Sequence, residues 1–269
     1  MIFIKTPEEI EIMAEGGKIL ARVMAELEKK VKPGITTEEL NRLAESLILK
    51  SNGQCSFKGY QGPDGELDKP YPACLCTSIN EEIVHAIPSD RVLKQGDILK
   101  LDLGVFFNGF HTDMAITVPV GKVSLETQRL IDATKEALQR GIGKIKQGNF
   151  IGDVSRAIQK YAESQGFNVV RELCGHGIGR NIHEDPQILN SVSFDKKLVD
   201  KVKYADDGKI IIKQGMILCL EPMLTVGSWR IKESSDGFGF LTKDNSLSAH
   251  FEHTIAVIKD GAKILTVVE

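Results

Sequence analysis

Four carboxylates in this sequence each lie within or directly after an apolar run that resembles a buried strand. No lysine or arginine lies between positions 102 and 117, where the first two acids occur. Because burying an unpaired charge costs several kcal/mol, a bound cation is the economical compensation. We therefore predict a site for two divalent metal ions, formed by Asp102, Asp113, Glu221 and Glu252. For any one of these acids alone, hydrogen bonds to backbone amides would be the simpler explanation.

Histidines accompany these acids. His176 lies in the glycine-rich segment CGHGIG, where small neighbours leave the imidazole accessible, so it is the predicted nitrogen ligand. Two more histidines lie in chemically suggestive segments, His85 in EEIVHAIP and His183 in NIHEDP. The other three are predicted to support the site or the fold: hydrogen bonding near the acids for His111 and His250, and a structural role for His253.

The donor set decides which metals and which chemistry to expect. One imidazole and four carboxylates are rich in oxygen, which favours Mn, Fe or Co over a Cys/His zinc site, although zinc stays a candidate. Paired divalent ions can generate a bridging hydroxide and stabilise the oxyanion that forms when it attacks a carbonyl. The acids and histidines therefore predict a metal-dependent hydrolase.

A hairpin must position the first two acids. Asn108-Gly109 between two apolar runs is a strong signal for a two-residue turn, which makes Phe107 face Phe110. In that register Asp113 lies opposite position 104, on the same face as Asp102. The two acids are then diagonal neighbours with backbones roughly 7–8 Å apart, close enough to share an ion.

The hairpin belongs to a sequence repeat. KQGDILKLD (94–102) recurs as KQGMILCLE (213–221), and VKPGITTEELNRLAE (31–45) resembles IKQGNFIGDVSRAIQ (145–159). The two pairs are offset by 119 and 114 residues, so chance similarity of two helices does not explain both. We predict one domain over 1–269 with an internal duplication, its halves spanning about 1–120 and 121–269. The two acid-bearing sheets would then meet at a pseudo-twofold axis.

Helices should precede the sheet in each half. Thr6 and Thr36 open capping boxes, and Ser124 is a third predicted N-cap; a further helix is expected around 153–164. Two charged or turn-rich stretches, 62–70 and 193–209, are predicted to be surface loops.

Composition excludes several classes of function. The chain has 269 residues, 42% hydrophobic and 26% charged, and a net charge of −3. This balance gives no basic patch for nucleic acid and no polybasic membrane anchor. The N-terminal apolar run is too short for a signal peptide or a spanning helix, so we expect a cytoplasmic protein. Five cysteines without a CxxC spacing are then expected to be reduced thiols.

The motifs together resemble type I methionine aminopeptidases, a pita-bread metallopeptidase family. SINEEIVHAIP, LDLG…GFHTD, GHGIGRNIHEDP, LEPM and SLSAHFEHT match in order and spacing, and the resemblance covers essentially all 269 residues. It implies an α+β pita-bread fold in which two helix–helix–antiparallel-sheet halves surround a dimetal site. The implied metal ligands are Asp102, Asp113, His176, Glu221 and Glu252, with Asp113 and Glu252 bridging the ions.

The resemblance also implies catalytic and pocket residues. His183 would bond the scissile carbonyl, His85 would contact the neighbouring peptide and assist proton transfer, and Glu221 joins them as a catalytic residue. The substrate-binding set is His85, His183, Tyr60, Tyr71, Cys76, Ile182 and Phe238. Ile182 and Phe238 replace a Phe and a Trp usual in the family, and His250 replaces a usual Gln, so a loosened methionine pocket is expected.

The implied activity is removal of the N-terminal methionine from nascent proteins and peptides, with preference for a small second residue. The implied setting is a monomer transiently near the ribosome, with no nucleic-acid motif and no membrane. Two alternatives stay open: a proline-specific pita-bread peptidase, which usually has an additional N-terminal domain, and a non-catalytic peptide-binding pita-bread protein, which tends to lack metal ligands.

Overall fold

The computed structural model describes residues 1–62, 68–192 and 207–268. Within these ranges four α-helices form two successive pairs: α1 (Pro7–Glu28) with α2 (Thr37–Lys50), and α3 (Leu125–Ile142) with α4 (Ile151–Ser164). The strands are β1 (Gln54–Cys55), β2 (Leu75–Ile79), β3 (Glu82–Val84), β4 (Ile98–Phe107), β5 (Phe110–Pro119), β6 (Asn168–Val169), β7 (Cys174–Gly177), β8 (Glu184–Leu189), β9 (Ile217–Leu220), β10 (Met223–Thr225), β11 (Ile231–Glu233), β12 (Phe240–Thr242), β13 (Ser248–His250), β14 (Glu252–Ile258) and β15 (Gly261–Ile264).

The helices begin where the sequence predicts. The hydroxyls of Thr6, Thr36 and Ser124 each accept a hydrogen bond from the backbone N–H three residues later. In α1 and α2 a glutamate at the third helical position returns a bond to the cap, which completes both capping boxes.

The β4–β5 hairpin has the predicted register. Phe107 is opposite Phe110, and Gly104 is opposite Asp113. Asn108 and Gly109 have φ of 47° and 88°, as a type I′ turn requires, and asparagine and glycine are the residues that tolerate such values. The larger antiparallel sheet runs β1-β4-β5-β14-β9-β7-β8, with β2 beside β4 and β15 beside β14.

Alternation along the strands separates the core from the site. Leu99, Leu101 and Leu103 of β4 pack in one buried cluster with Leu20 of α1 and Leu40 of α2. The second half repeats this arrangement, because a second cluster joins residues of β9 and β14 with residues of α3 and α4: Leu218, Leu220, Ile255, Leu130 and Ile158. The helices thus cover one face of the strands, and the intervening residues, which include the predicted acids, face the other way.

The repeated segments also make equivalent backbone bonds. The N–H of Gly34 donates to the carbonyl of Leu93 at 2.9 Å, and 114 and 119 residues later Gly148 donates to Ile212 at 3.0 Å. The strands follow the same plan, since β4 and β9, which carry the repeated phrase, flank the central pair β5·β14 on opposite sides. These matches support the predicted duplication; the single domain over 1–269 stays a prediction.

The expectation that all five cysteines are free thiols is wrong for Cys55 and Cys74, which form a disulfide. The physical reason is that both cysteines lie beside the same strand of the sheet. Cys55 pairs with Val105 of β4 and Leu75 pairs with Leu103, so β1 and the start of β2 follow one another along the same edge. This brings the Cα atoms of Cys55 and Cys74 to 5.1 Å, a distance that sequence spacing does not reveal. Cys76 and Cys219 are buried thiols outside this disulfide.

Residues 63–67 and 193–206 lie outside the described residues, and they contain most of the two predicted surface loops, 62–70 and 193–209. Among the helices that the structure describes, none is both long enough and apolar enough to cross a membrane.

Candidate metal centre and substrate cavity

Strand pairing places the predicted acids in two adjacent lines across one face of the sheet. In the first line Asp102 is opposite Ala115, and Ala115 is opposite Glu252. In the second line the backbone N–H of Asp113 donates to the Thr254 hydroxyl, and that hydroxyl donates to the Asp113 carbonyl, each at 2.8 Å. That line continues because Thr254 is opposite Cys219, and Cys219 is opposite His176. The polar side chains on this face, from both lines together, are those of Asp102, Glu252, Asp113, Thr254, Cys219 and His176.

Two triads of possible ligands form on this face, and they share Glu252. One consists of Asp102, Asp113 and Glu252, with ligand atoms all within 4.8 Å of one another. The other consists of His176, Cys219 and Glu252, within the same limit. Glu221 follows β9 directly, and its Oε1 lies 3.6 Å from His176 Nε2. The structure thus brings all five predicted ligands together.

The donor atoms fit a cation. Asp102 Oδ1 and Glu252 Oε1 are buried and have no hydrogen-bond partner among the described residues. Burial raises the pKa of Asp102 to about 7 and raises the pKa values of Asp113, Glu221 and Glu252 well above their usual range; neighbouring carboxylates add to the effect at the last three. Such a group of acids is costly without positive charge, so the residues fit divalent ions.

A buried lysine lies near the acids but does not neutralise them. Lys100 is 1% exposed on β4, two residues before Asp102. Its ammonium donates to the carbonyls of Asn80 at 2.7 Å and Ser248 at 3.1 Å, not to a carboxylate. The role of Lys100 could not be predicted from the sequence, because its partners are backbone carbonyls from distant segments of the chain.

A cavity of about 800 Å³ opens above the acids. His85 and His183 line it, together with His176. His85 has φ of +62°, a left-handed conformation that is strained for a non-glycine residue and occurs disproportionately at functional sites. Its ring is accessible from the cavity, yet the surrounding protein removes enough water to hold its pKa below the usual value.

Tyr60 contacts His183 directly. The Tyr60 hydroxyl and His183 Nδ1 form a hydrogen bond, and the His183 ring lies 4.4 Å from the His176 ring, centroid to centroid. Burial, and then the other imidazoles nearby, hold the pKa of His183 well below its ordinary value. His183 is therefore neutral at neutral pH.

The apolar end of the cavity contains most of the predicted pocket. Tyr60, Tyr71, Cys76 and Phe238 line it, and the Tyr71 and Phe238 rings meet edge to face at 5.5 Å. Ile182 is different: it is 3% exposed and does not belong to the lining, although the resemblance implied that it does. Its neighbour His183, in the bend that precedes β8, lines the cavity instead. Further apolar lining residues carry no sequence motif that marks them, among them Phe57, Val84, Met223 and Phe240.

The remaining histidines have separate contacts. His111 Nδ1 bonds the Ser56 hydroxyl at 2.9 Å, and His253 Nδ1 bonds the Thr266 hydroxyl at 2.9 Å, away from the acids. His250 is 1% exposed, and its Nε2 lies 3.9 Å from Glu221 Oε2. Neither ring nitrogen of His250 has a hydrogen-bond partner among the described residues, so burial lowers its pKa to about 3.

A curled antiparallel sheet backed by two helix pairs, with buried acids and histidines on its open face, defines a metallopeptidase of the pita-bread fold. The sequence profile of metallopeptidase family M24 matches residues 11–259, and the chain belongs to that family. Within it, the chain is 44% identical to the methionine aminopeptidase of Clostridium acetobutylicum, over 100% of each chain. It is also 44% identical to methionine aminopeptidase 1 of Bacillus subtilis, over 99% of each chain. The resemblance inferred from the motifs is confirmed.

Solved structures of methionine aminopeptidases have the same fold. The methionine aminopeptidase of Rickettsia prowazekii superposes with a TM-score of 0.89 at 38% identity, covering 99% of this chain and 100% of that one. The prolidase of Pyrococcus furiosus superposes with a TM-score of 0.72 at 22% identity, and 66% of that chain is covered. At that identity the likeness to the prolidase shows the fold alone.

Proposed function

We propose that this chain is a methionine aminopeptidase, which hydrolyses the peptide bond after the N-terminal methionine of a protein or peptide. The observation that carries the proposal is the pair of triads that share Glu252 at the floor of a cavity lined by two neutral histidines. Full-length identity of 44% to methionine aminopeptidases supports the same substrate. The proline-specific alternative is disfavoured, since the prolidase of Pyrococcus furiosus is only 22% identical to this chain. The non-catalytic alternative is disfavoured because all five ligands are present.

The proposed centre holds two divalent ions, with Asp102, Asp113, His176, Glu221 and Glu252 as ligands. Mn, Fe, Co and Zn are the candidates. Ions bound there would supply an activated water as nucleophile and would polarise the scissile carbonyl. Within this arrangement Glu221 is the proposed proton acceptor, because its carboxylate borders the cavity.

The proposed role of His183 is to donate a hydrogen bond to the oxygen of the scissile carbonyl. In this proposal the Tyr60 hydroxyl donates to Nδ1, so the imidazole proton lies on Nε2, and Nε2 is the donor available to substrate. His85 is the proposed contact for the next peptide unit, and its exposure to the cavity allows it to pass a proton.

The proposed methionine pocket is the apolar end of the cavity. A flexible thioether packs well against rings and makes favourable contacts at their edges. Tyr71 and Phe238 present such rings, and the Tyr71 hydroxyl is already bonded to the Ala86 carbonyl at 3.1 Å, so it does not compete for a polar substrate. Cys76 is buried beside them and is held neutral by a raised pKa. We assign no substrate contact to Ile182.

The proposed partners are nascent polypeptides that still begin with methionine. The proposed setting is the cytoplasm, where a monomer would act near the ribosome without a nucleic-acid motif of its own. The Cys55–Cys74 disulfide is unusual for that compartment. Alkylation of free thiols in a freshly lysed host, followed by mass measurement, would report whether the pair is oxidised there.

The testing experiment is hydrolysis of Met-Ala-Ser by chelator-treated protein reloaded with Mn, Fe, Co or Zn. We expect methionine release with at least one metal and none without metal. Met-Pro-Ser, Leu-Ala-Ser and Lys-Ala-Ser serve as comparison peptides. Faster release from Lys-Ala-Ser than from Met-Ala-Ser, or equal turnover after metal removal, would contradict the proposal. Metal binding without hydrolysis of any peptide would favour the non-catalytic alternative.

A further inference from the structure

Cys219 is a buried thiol on the ligand face that the five-residue ligand set does not use. It lies on β9, is 0% exposed, and points the same way as Glu221, two residues on. Its cross-strand neighbours are Thr254 on one side and His176 on the other. The thiol therefore lies within the second line of the face and not at its edge.

The distances allow the sulfur to bind the same ion as its neighbours. The ligand atoms of His176, Cys219 and Glu252 lie within 4.8 Å of one another. Donors at about 2.0–2.3 Å from one ion are at most about 4.5 Å apart, so only a small side-chain adjustment separates this triad from coordination. Glu252 Oε1 is buried and has no hydrogen-bond partner among the described residues, which is a second observation that fits a cation here.

We propose that Cys219 is a sulfur ligand at the His176 end of the centre, in addition to the oxygen and nitrogen ligands. The proposal rests on the proposed dimetal function, because both use Glu252. A sulfur ligand at this position makes the two ends of the metal centre chemically different. The triad of His176, Cys219 and Glu252 offers nitrogen, sulfur and oxygen, which suits zinc, iron(II) or cobalt(II). The triad of Asp102, Asp113 and Glu252 offers oxygen alone, which suits a harder ion such as manganese(II).

The sequence repeat makes this end distinct from its counterpart. In KQGDILKLD and KQGMILCLE, Lys100 occupies the position that corresponds to Cys219. The Lys100 ammonium binds two backbone carbonyls and cannot be a ligand while charged. The same strand position thus carries a cation in one half and a possible soft ligand in the other, so sulfur is available at one end of the centre only.

The competing explanation is that Cys219 is a hydrogen-bonding neighbour. Its sulfur lies 3.5 Å from the Thr254 hydroxyl and within 4.8 Å of a Glu252 carboxylate oxygen. Loss of such a supporting bond lowers metal affinity by about 10–100-fold by itself, so an affinity change does not separate the two roles. A direct spectroscopic signature of a sulfur–metal bond does.

The experiment is cobalt(II) titration of the chelator-treated full chain, followed by absorption spectroscopy and metal analysis. A thiolate ligand gives a sulfur-to-cobalt charge-transfer band in the near ultraviolet. We expect the band in the wild type, its loss in Cys219→Ser and Cys219→Ala, and its retention in Cys76→Ser, which removes another buried thiol, one opposite Asp102. Mixed zinc and manganese should load one ion of each kind in the wild type.

Three results would overturn the inference. Bound cobalt and methionine release without the band in the wild type would reject Cys219 as a ligand and leave the proposed function intact. A band that persists in both Cys219 variants but disappears in Cys76→Ser would do the same. No cobalt binding and no hydrolysis would reject both proposals together. The wild-type spectrum decides the question even if a variant fails to fold, and circular dichroism identifies that case.

Discussion

Replacing Asp102 by Asn should stabilise the metal-free protein while weakening its hold on divalent ions. Burial raises the pKa of Asp102 from 3.8 to about 7. Between these two values the folded carboxyl keeps a proton that the unfolded chain has lost, so unfolding releases a proton and stability falls as pH rises. Below pH 4 both states are protonated and the effect vanishes; above pH 7 it is fully developed.

The size of the expected stability difference follows from the pKa shift of Asp102. A shift of roughly 3 units at about 1.36 kcal/mol each makes the buried carboxylate cost at most about 4 kcal/mol at pH 8. Asn keeps the shape and removes the charge. We therefore expect metal-free Asp102→Asn to exceed the metal-free wild type by up to about 4 kcal/mol at pH 8, and by far less at pH 4.

The assay is urea denaturation of chelator-treated protein at both pH values, repeated with excess divalent metal. Metal should reverse the order, because two ions, each at 100 times its Kd, together add about 5.4 kcal/mol to the wild type and less to a variant that lacks a ligand. Asp90→Asn, at an exposed acid, is the matched control and should change stability by under about 0.5 kcal/mol. A metal-free Asp102→Asn no more stable than the wild type at pH 8 would refute the reasoning.

Four further expectations can be measured separately. His183→Ala should lower kcat by about 10²–10³ with unchanged metal stoichiometry, because its bond strengthens in the transition state; lost metal would reassign the residue. Tyr60→Phe should lower kcat about fivefold, the equivalent of one hydrogen bond of about 1 kcal/mol, and an effect confined to KM would contradict its action through His183. Gly175→Ala should lower Tm strongly, since an added Cβ would lie 2.3 Å from the Cys219 carbonyl oxygen, whereas Gly143→Ala, with no atom nearer than 3.5 Å, should not. In X-Ala-Ser and Met-X-Ser panels, Met and norleucine should be released fastest, with Leu or Phe slower by only about 1–3 kcal/mol in activation free energy; bulky second residues should be spared, and equal rates for small and bulky ones would count against a narrow second site.

The sequence predicted what local chemistry determines. Asn108-Gly109 permitted one tight hairpin, and from that turn the register and the shared face of Asp102 and Asp113 followed. The threonine caps fixed two helix starts in the same way.

Features that depend on long-range packing were missed. The approach of Cys55 to Cys74 depends on both segments pairing with the same edge of β4. The hydrogen bond between Tyr60 and His183 joins residues 123 apart in the chain, and no sequence pattern in either segment predicts it. Ile182 was assigned by analogy to a pocket that it does not line, because the direction of a side chain depends on local backbone geometry.

The sharing of Glu252 has a consequence for the order of folding. Asp102 and Asp113 are joined by a local hairpin, which can form early because its loop is short. Glu252 follows Asp102 by 150 residues (252 − 102) and reaches the acids only when β14 pairs with β5. Both triads therefore assemble at the docking of the two halves, a late and non-local step. Ions that need Glu252 bind after that step, so they should slow unfolding without speeding folding.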